Sequence, residues 1–454
     1  MRLSAVEKGW FVLSVAVLAF LYGVAVGAWK WPPYEWIARA TEQAEAAYRA
    51  TQPTPYADRF VGPRVYDRQG ARTPRPARMQ PGLTLVTSYW SGGEGEPLGV
   101  GAKLLDRRGR TVHEWALDRQ ALFPDSAVQG SPLRSEIHGT HLRPNGDLLV
   151  NLDYVGTVRL DACGTVEWTL PEKTHHSIAR AEDGTFWIPG VSAEKRRGSA
   201  RYPDGYPGVE EPVWIDRILH VAPDGEVLRR IPVLDVLYTN GLARYLVKGM
   251  SPHPETLLED PTHLNDVEPL GAERASAYPS FEAGDLLVSL RTPSLVLVVD
   301  PTSLEVKWKA STPFIHQHDP DFLGDGWIGV FDNNQDPTPR GTMLGGSRIV
   351  ALSPSADSTK TLFPTARSEP FYTPTAGHWQ RLDNGNSLLT EARAGRVVEV
   401  APSGRTVWEW IHPPYDDTRV PFVMNGTRHN LTREDVADWP CSSVDSVSTS
   451  NQSN

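Results

Sequence analysis

Two distant stretches of this chain carry the same succession of elements. Residues 139–170, GTHLRPNGDLLVNLDYVGTVRLDACGTVEWTL, read as a strand, an Asn-Gly turn, an apolar strand, a Gly step, a third strand, a Gly turn and a Trp-bearing strand. Residues 377–410, GHWQRLDNGNSLLTEARAGRVVEVAPSGRTVWEW, repeat that order, again led by a His. Turn residues between apolar runs signal hairpins, and self-similarity marks an array of like units. Looser copies occupy 175–190 with 216–231, 262–270 with 281–310, and 316–333 with 347–363; a first copy, 84–90 with 101–115, lacks the leading His. Sheets this small are not stable alone, and closing them into a ring hides their edges. The expected fold is all-β: a six-bladed β-propeller of four-stranded blades over residues 83–440. Two packed β-sandwiches would give no reason for a repeated His-turn-strand-Trp order.

Composition agrees with a folded, turn-rich chain: 38 Gly and 39 Pro among 454 residues, with 22% charged. The formal net charge of −10 argues against a nucleic-acid partner, which needs a basic face. Two cysteines, Cys163 and Cys441, are too few for a disulfide-dense scaffold, a zinc ribbon or an iron–sulfur centre. A bridge between them and two separate thiols both stay open.

Residues 11–28, FVLSVAVLAFLYGVAVGA, carry no charge, and Trp10 and Trp29 flank them. The segment 9–29 is long enough to cross a membrane once, so residues 1–30 are expected as a transmembrane anchor. Arg2 and Lys8 precede it, which puts the N-terminus in the cytoplasm and the propeller on the periplasmic, extracytoplasmic side of the inner membrane. A cleaved signal peptide ending near Ala28 is the rival reading. Gly23 and Gly27 form a GxxxG step that would suit an integral-membrane partner. Residues 31–82 are expected as a juxtamembrane helix (35–50) and a Pro-rich linker (51–82), and residues 441–454 as a disordered polar tail.

In each propeller blade the first strand lines the channel. The leading histidines lie five to eight residues before a Gly turn: His141 before Gly146, His176 before Gly184, His318 before Gly326 and His378 before Gly385. The expectation is that His138, His141, His175, His176, His263, His316, His318 and His378 gather at one mouth. Such imidazoles hold a metal such as zinc or copper, or act as nucleophile and acid or base on an anionic group. Asn265, Arg291, Asn333, Arg340, Arg381 and Arg393 nearby favour an oxyanion, which a guanidinium grips in a fork. Asp266, Asp319 and Asp321 keep a metal open.

The stretches DPTHLNDVEPL (260–270), FIHQHDPDFLGDGWIGVFDNN (314–334) and PTAGHWQRLDNGNSLLTEARAGRVVEVAPSGRTVWEW (374–410) resemble the bacterial PAPS-independent arylsulfotransferase family, over roughly residues 83–415. The resemblance implies a six-bladed propeller that moves a sulfo group from an aryl sulfate to a phenol through a sulfo-histidine, without a cofactor or metal. It implies His263, His318 and Arg340 as catalytic residues and His378 as the sulfated nucleophile. Asn265, Arg291, His316, Asn333 and Arg348 are the expected substrate-binding residues. A longer spacing before Arg340 leaves Arg348 as the other choice for the functional arginine. A separate N-terminal β-domain of the family is replaced here by the apolar segment and linker. The alternative function is a non-catalytic propeller subunit of a larger respiratory or photosynthetic membrane complex, docked by its helix.

Overall fold

The structure, a computed structural model, describes residues 5–29, 31–33, 60–91, 98–124, 136–249 and 259–441. The expected helix at 35–50 and the tail beyond Cys441 lie outside these residues. An apolar helix, Ala5–Trp29, lies in the first of two compact units. Its residues Val6–Trp29 are long and apolar enough for a membrane span or a signal sequence.

The second unit, Phe60–Asn454, contains a six-bladed β-propeller. Blade 2 runs outward from the channel as Thr140–Leu142, Leu148–Leu152, Gly156–Leu160 and Val166–Leu170. Blade 3 is Ala179–Arg180, Phe186–Val191, Asp216–Val221 and Val227–Pro232, and blade 4 is Leu264–Pro269, Leu286–Leu290, Leu295–Val299 and Val306–Ala310. Blade 5 is His318–Phe322, Ile328–Asp332, Arg348–Ser353 and Ser358–Phe363; blade 6 is His378–Arg381, Ser387–Glu391, Arg396–Val400 and Thr406–Ile411. Middle strands such as LLVSL and LVLVV are buried throughout because a neighbouring blade covers each face, so they read as continuous apolar runs. Outer strands such as VEWTL face water on one side.

Blade 1 closes the ring. Its inner strand is Val423–His429, from the far end of the chain, followed by Leu83–Ser91, Leu98–Leu105 and Thr111–Ala116. That is why the first copy of the repeat lacks a leading His. Beyond the closure, the helix Arg433–Ala437 opens with a full capping box at Thr432. Trp439 then packs over Gly146, whose φ of +88° suits its turn and where a Cβ would lie 2.7 Å from the Trp439 ring. Cys163 and Cys441 are disulfide-bonded, with Cα atoms 5.2 Å apart.

The segment expected as a linker differs from that expectation from Phe60 onward. Val61–Pro63 pairs with Arg419–Pro421, and Gly70–Arg72 adds a fifth strand to blade 6 beside Thr406–Ile411. Charge explains the attachment. Glu409, fully buried in blade 6, accepts Nε bonds from Arg68 and Arg72, both at 2.7 Å, and meets Arg396 at 2.9 Å. A carboxylate buried there requires cations, and the arginines of the Pro- and Arg-rich segment supply them.

Candidate functional site

The turns that lead into the inner strands carry the site. His176, His263 and His316 have φ of +55°, +47° and +57°, and each comes just before its blade's first strand. Non-glycine residues adopt this backbone at a cost, and such strain collects at functional sites. These turns bring imidazoles from four blades together. The His176 ring centroid is 4.7 Å from that of His138, 5.0 Å from His175, 5.3 Å from His263 and 6.2 Å from His318. His141 is not among them: its ring meets Phe186, and its charge lowers the proton affinity of His429. The expectation that all leading histidines share one mouth fails there, because His141, the middle residue of the inner strand Thr140–Leu142, packs its ring against Phe186.

Hydrogen bonds fix the ring orientations. Asn333 donates its amide hydrogens to the carbonyls of Thr373 and Ala376, at 2.9 and 2.7 Å. Its Oδ1 is left as acceptor for His318 Nδ1, at 2.6 Å. His318 therefore carries its hydrogen on Nδ1, and Nε2 keeps a free lone pair. Burial, followed by the charge of Arg291, holds His318 well below the ordinary histidine range. Burial and the neighbouring imidazoles do the same to His176. His263 Nδ1 bonds Asp260 Oδ2 at 2.5 Å. Burial pushes the Asp260 carboxyl up, but its bonds to His263 and the charges of His263 and His175 together outweigh this and leave it below the usual carboxylate range.

Of the expected arginines, Arg291 reaches the histidines. Its backbone N–H bonds the His263 carbonyl at 3.0 Å. Its guanidinium lies 3.5 Å from Gln335 Oε1, which also contacts His316 Nδ1 at 2.5 Å. Arg340 instead pairs with buried Glu391 at 3.2 Å. Arg348 pairs with Asp332 at 2.8 Å and donates to the Pro313 carbonyl, a structural tie inside blade 5. Asn265 binds the Gln317 carbonyl at 2.8 Å, which staples blade 4 to blade 5. The supporting residues Asp153, Asn333 and Asp260 orient rings. Of these, Asn333 was expected from the sequence, as a substrate-binding residue; Asp153 and Asp260 were not.

A cavity of about 180 Å³ lies in the channel, lined in part by His138, His176, His318 and His378. His378 bonds Asp319 through Nδ1 at 2.7 Å, and no ring contact joins it to the other imidazoles among the described residues. Asp319 is held in turn by the backbone and indole N–H groups of Trp379, at 2.6 and 2.9 Å. Asp266, Glu268, Asp319 and Asp321 line the cavity as well. Burial and then mutual repulsion push Asp266 and Asp321 well above the carboxylate range, and burial carries Glu268 to about 7. The raised proton affinity of Asp266, Asp321 and Glu268 lessens the negative charge that they set against a bound anion. Glu136, His138 and Asp153 each offer a ligand atom within 4.8 Å of the others, the metal-like grouping among the described residues.

The family model for arylsulfotransferase (ASST) matches residues 158–412, more than half of the chain and most of the propeller. None of the curated proteins matches. Among solved structures, a protein of unknown function from Bacteroides caccae is similar at 13% identity, over 77% of this chain and 100% of that one, with a TM-score of 0.48. The streptogramin B lyase structure is similar at 10% identity, over 73% of this chain and 88% of that one, with a TM-score of 0.37. A nidogen/laminin complex is similar at 12% identity, over 75% and 97%, with a TM-score of 0.40. On the extent of the family match, the chain belongs to the arylsulfotransferase (ASST) family.

Proposed function

We propose that this protein transfers a sulfo group from an aryl sulfate to a phenol through a sulfated histidine, with His318 as the nucleophile. The observation that carries the reading is the convergence of His176, His263 and His318 beside Arg291. His318 is neutral, with its Nε2 lone pair exposed to a ligand by the Asn333 bond. Attack by Nε2 on sulfur expels the aryl oxygen, and the acceptor phenol reverses the step. Negative charge stays on the sulfo oxygens, where the Arg291 guanidinium stabilises it. His263 stands beside it, with its Nδ1 bonded to Asp260.

Arg291 thus takes the part that the sequence resemblance gave to Arg340. The nucleophile moves from His378 to His318, because Arg291 and the other imidazoles lie near His318, whereas among the described residues no ring contact joins His378 to them. The apolar helix Ala5–Trp29 is proposed as a single membrane anchor that places the propeller outside the cytoplasm. Incubation with p-nitrophenyl sulfate and a phenol tests the activity. Nitrophenolate release that requires the acceptor supports it. No release, with partner proteins co-purifying in mild detergent, would favour a non-catalytic subunit of a membrane complex.

A further inference from the structure

Arg393 has no task in the transfer described so far. It lies in the short turn Ala392–Ala394 between two strands of blade 6. Its Nε donates to Thr375 Oγ1 at 2.8 Å, and its guanidinium carbon lies 4.2 Å from the centre of the Phe422 ring. One donor and one face of the group are thereby used, and no carboxylate pairs with it among the described residues. The Nη1–Nη2 edge remains, with donors spaced to meet both oxygens of a carboxylate.

One short stretch of chain supports both this arginine and His318. The Thr373 hydroxyl accepts the Arg393 backbone N–H at 3.3 Å, and Thr375 Oγ1 holds its Nε. The carbonyls of Thr373 and Ala376 hold Asn333, which in turn holds His318 Nδ1. Ala376 has a φ of +55°, a backbone that costs energy without a glycine and that collects at functional sites. The charge of Arg393 also bears on the other side of the site: burial lowers the proton affinity of Arg291 first, and Arg393 is among the charges that lower it further. Neither guanidinium pairs with a carboxylate among the described residues, and each raises the cost of the other. A sulfo group beside Arg291 answers one of these cations and leaves the second.

We infer that Arg393 is a second anion-binding site, which grips a carboxylate carried by the aryl substrate while the sulfo group lies between His318 and Arg291. This rests on the sulfotransferase reading above and names the substrate class of that site. The aryl group of the donor and the acceptor phenol take the same place in the two halves of the transfer, so one arginine serves both. The substrates are aryl sulfates and phenols with a carboxylate on a short arm.

The test uses the full chain with p-nitrophenyl sulfate as donor and two acceptors, 4-hydroxyphenylacetate and its neutral amide, 4-hydroxyphenylacetamide. The wild-type KM for the carboxylate is expected about 10–100-fold below that for the amide, the span of a hydrogen-bonded pair with a charged group. Arg393→Gln should bring the two values together. Thr375→Val, which releases Nε, should narrow the gap and serves if the first variant does not fold. A ratio between two acceptors cancels any general loss of active protein. Calorimetric titration with 4-hydroxyphenylacetate and with inorganic sulfate gives a second readout, independent of turnover, in which Arg393→Gln should weaken the carboxylate by the same factor. Equal wild-type KM values, a preference that survives Arg393→Gln, or a greater loss for inorganic sulfate than for the carboxylate would overturn the proposal. A wild-type protein that binds the carboxylate through Arg393 yet transfers no sulfo group would overturn the sulfotransferase reading and leave this site standing.

Discussion

Arg291 and Arg340 are both arginines of the propeller, but their neighbours give them different work. Arg291 sits with three imidazoles and an amide oxygen, whereas Arg340 neutralises a buried carboxylate. Arg291→Ala is expected to lower kcat/KM for p-nitrophenyl sulfate by about 10²–10³, the usual effect of removing a group that stabilises developing anionic charge. Arg340→Ala should leave turnover within about tenfold and appear mainly as lost stability in a thermal melt. The depressed proton affinity of His318 gives a second outcome. Its working form is neutral, so the acid limb of kcat/KM should fall below about pH 6.5, the ordinary histidine value. A limb at or above that value would place another base in the role. The repeat made the leading histidines legible as a class. It did not separate His138 from His141, because the bend of the chain just before the strand decides which of them faces the cluster. Arg291 was visible as a residue of blade 4, but its approach to His263 depends on a backbone bond that spacing does not reveal.

At the scale of elements, the Arg-rich segment before the propeller read as a linker because its prolines and arginines show no strand period. Its strands are short and are held by ion pairs to blade 6. Arg396 is the buried hub: it meets Glu409 at 2.9 Å and Glu391 at 3.5 Å, with its side chain only 2% exposed. Arg396→Met removes one partner from two buried carboxylates, and about 3–5 kcal/mol of stability should go with it. Urea titration checks the loss, and limited proteolysis within residues 64–75 should speed up in parallel. Unchanged stability would mean that Arg68 and Arg72 suffice for Glu409. The middle strands were the most legible elements, since burial on both faces leaves an unbroken apolar run such as LVLVV.

For the whole molecule, the ring is closed by Val423–His429 in blade 1 and locked again by the Cys163–Cys441 disulfide across 278 residues of sequence. The closing strand was hidden from sequence because it lacks both the leading His and any nearby copy of its partners. Replacing both cysteines by Ala should cost about 2–4 kcal/mol, read as a lower melting temperature. Acid should loosen the molecule as well. Burial lowers His141, His412 and His429 to about 4 each. Histidines depressed in the fold take up protons more readily when unfolded, so the stability they protect is complete above about pH 6.5 and is lost as pH falls toward 4. All of this architecture serves one claim, that a single neutral imidazole is the covalent relay. The direct test is rapid acid-free quenching of the wild-type protein with an aryl sulfate and no acceptor, followed by peptide mass mapping. The account expects one added sulfo group on the peptide containing His318, absent from His318→Ala. A sulfo group on the peptide of His378, or none on any histidine while turnover continues, would contradict it.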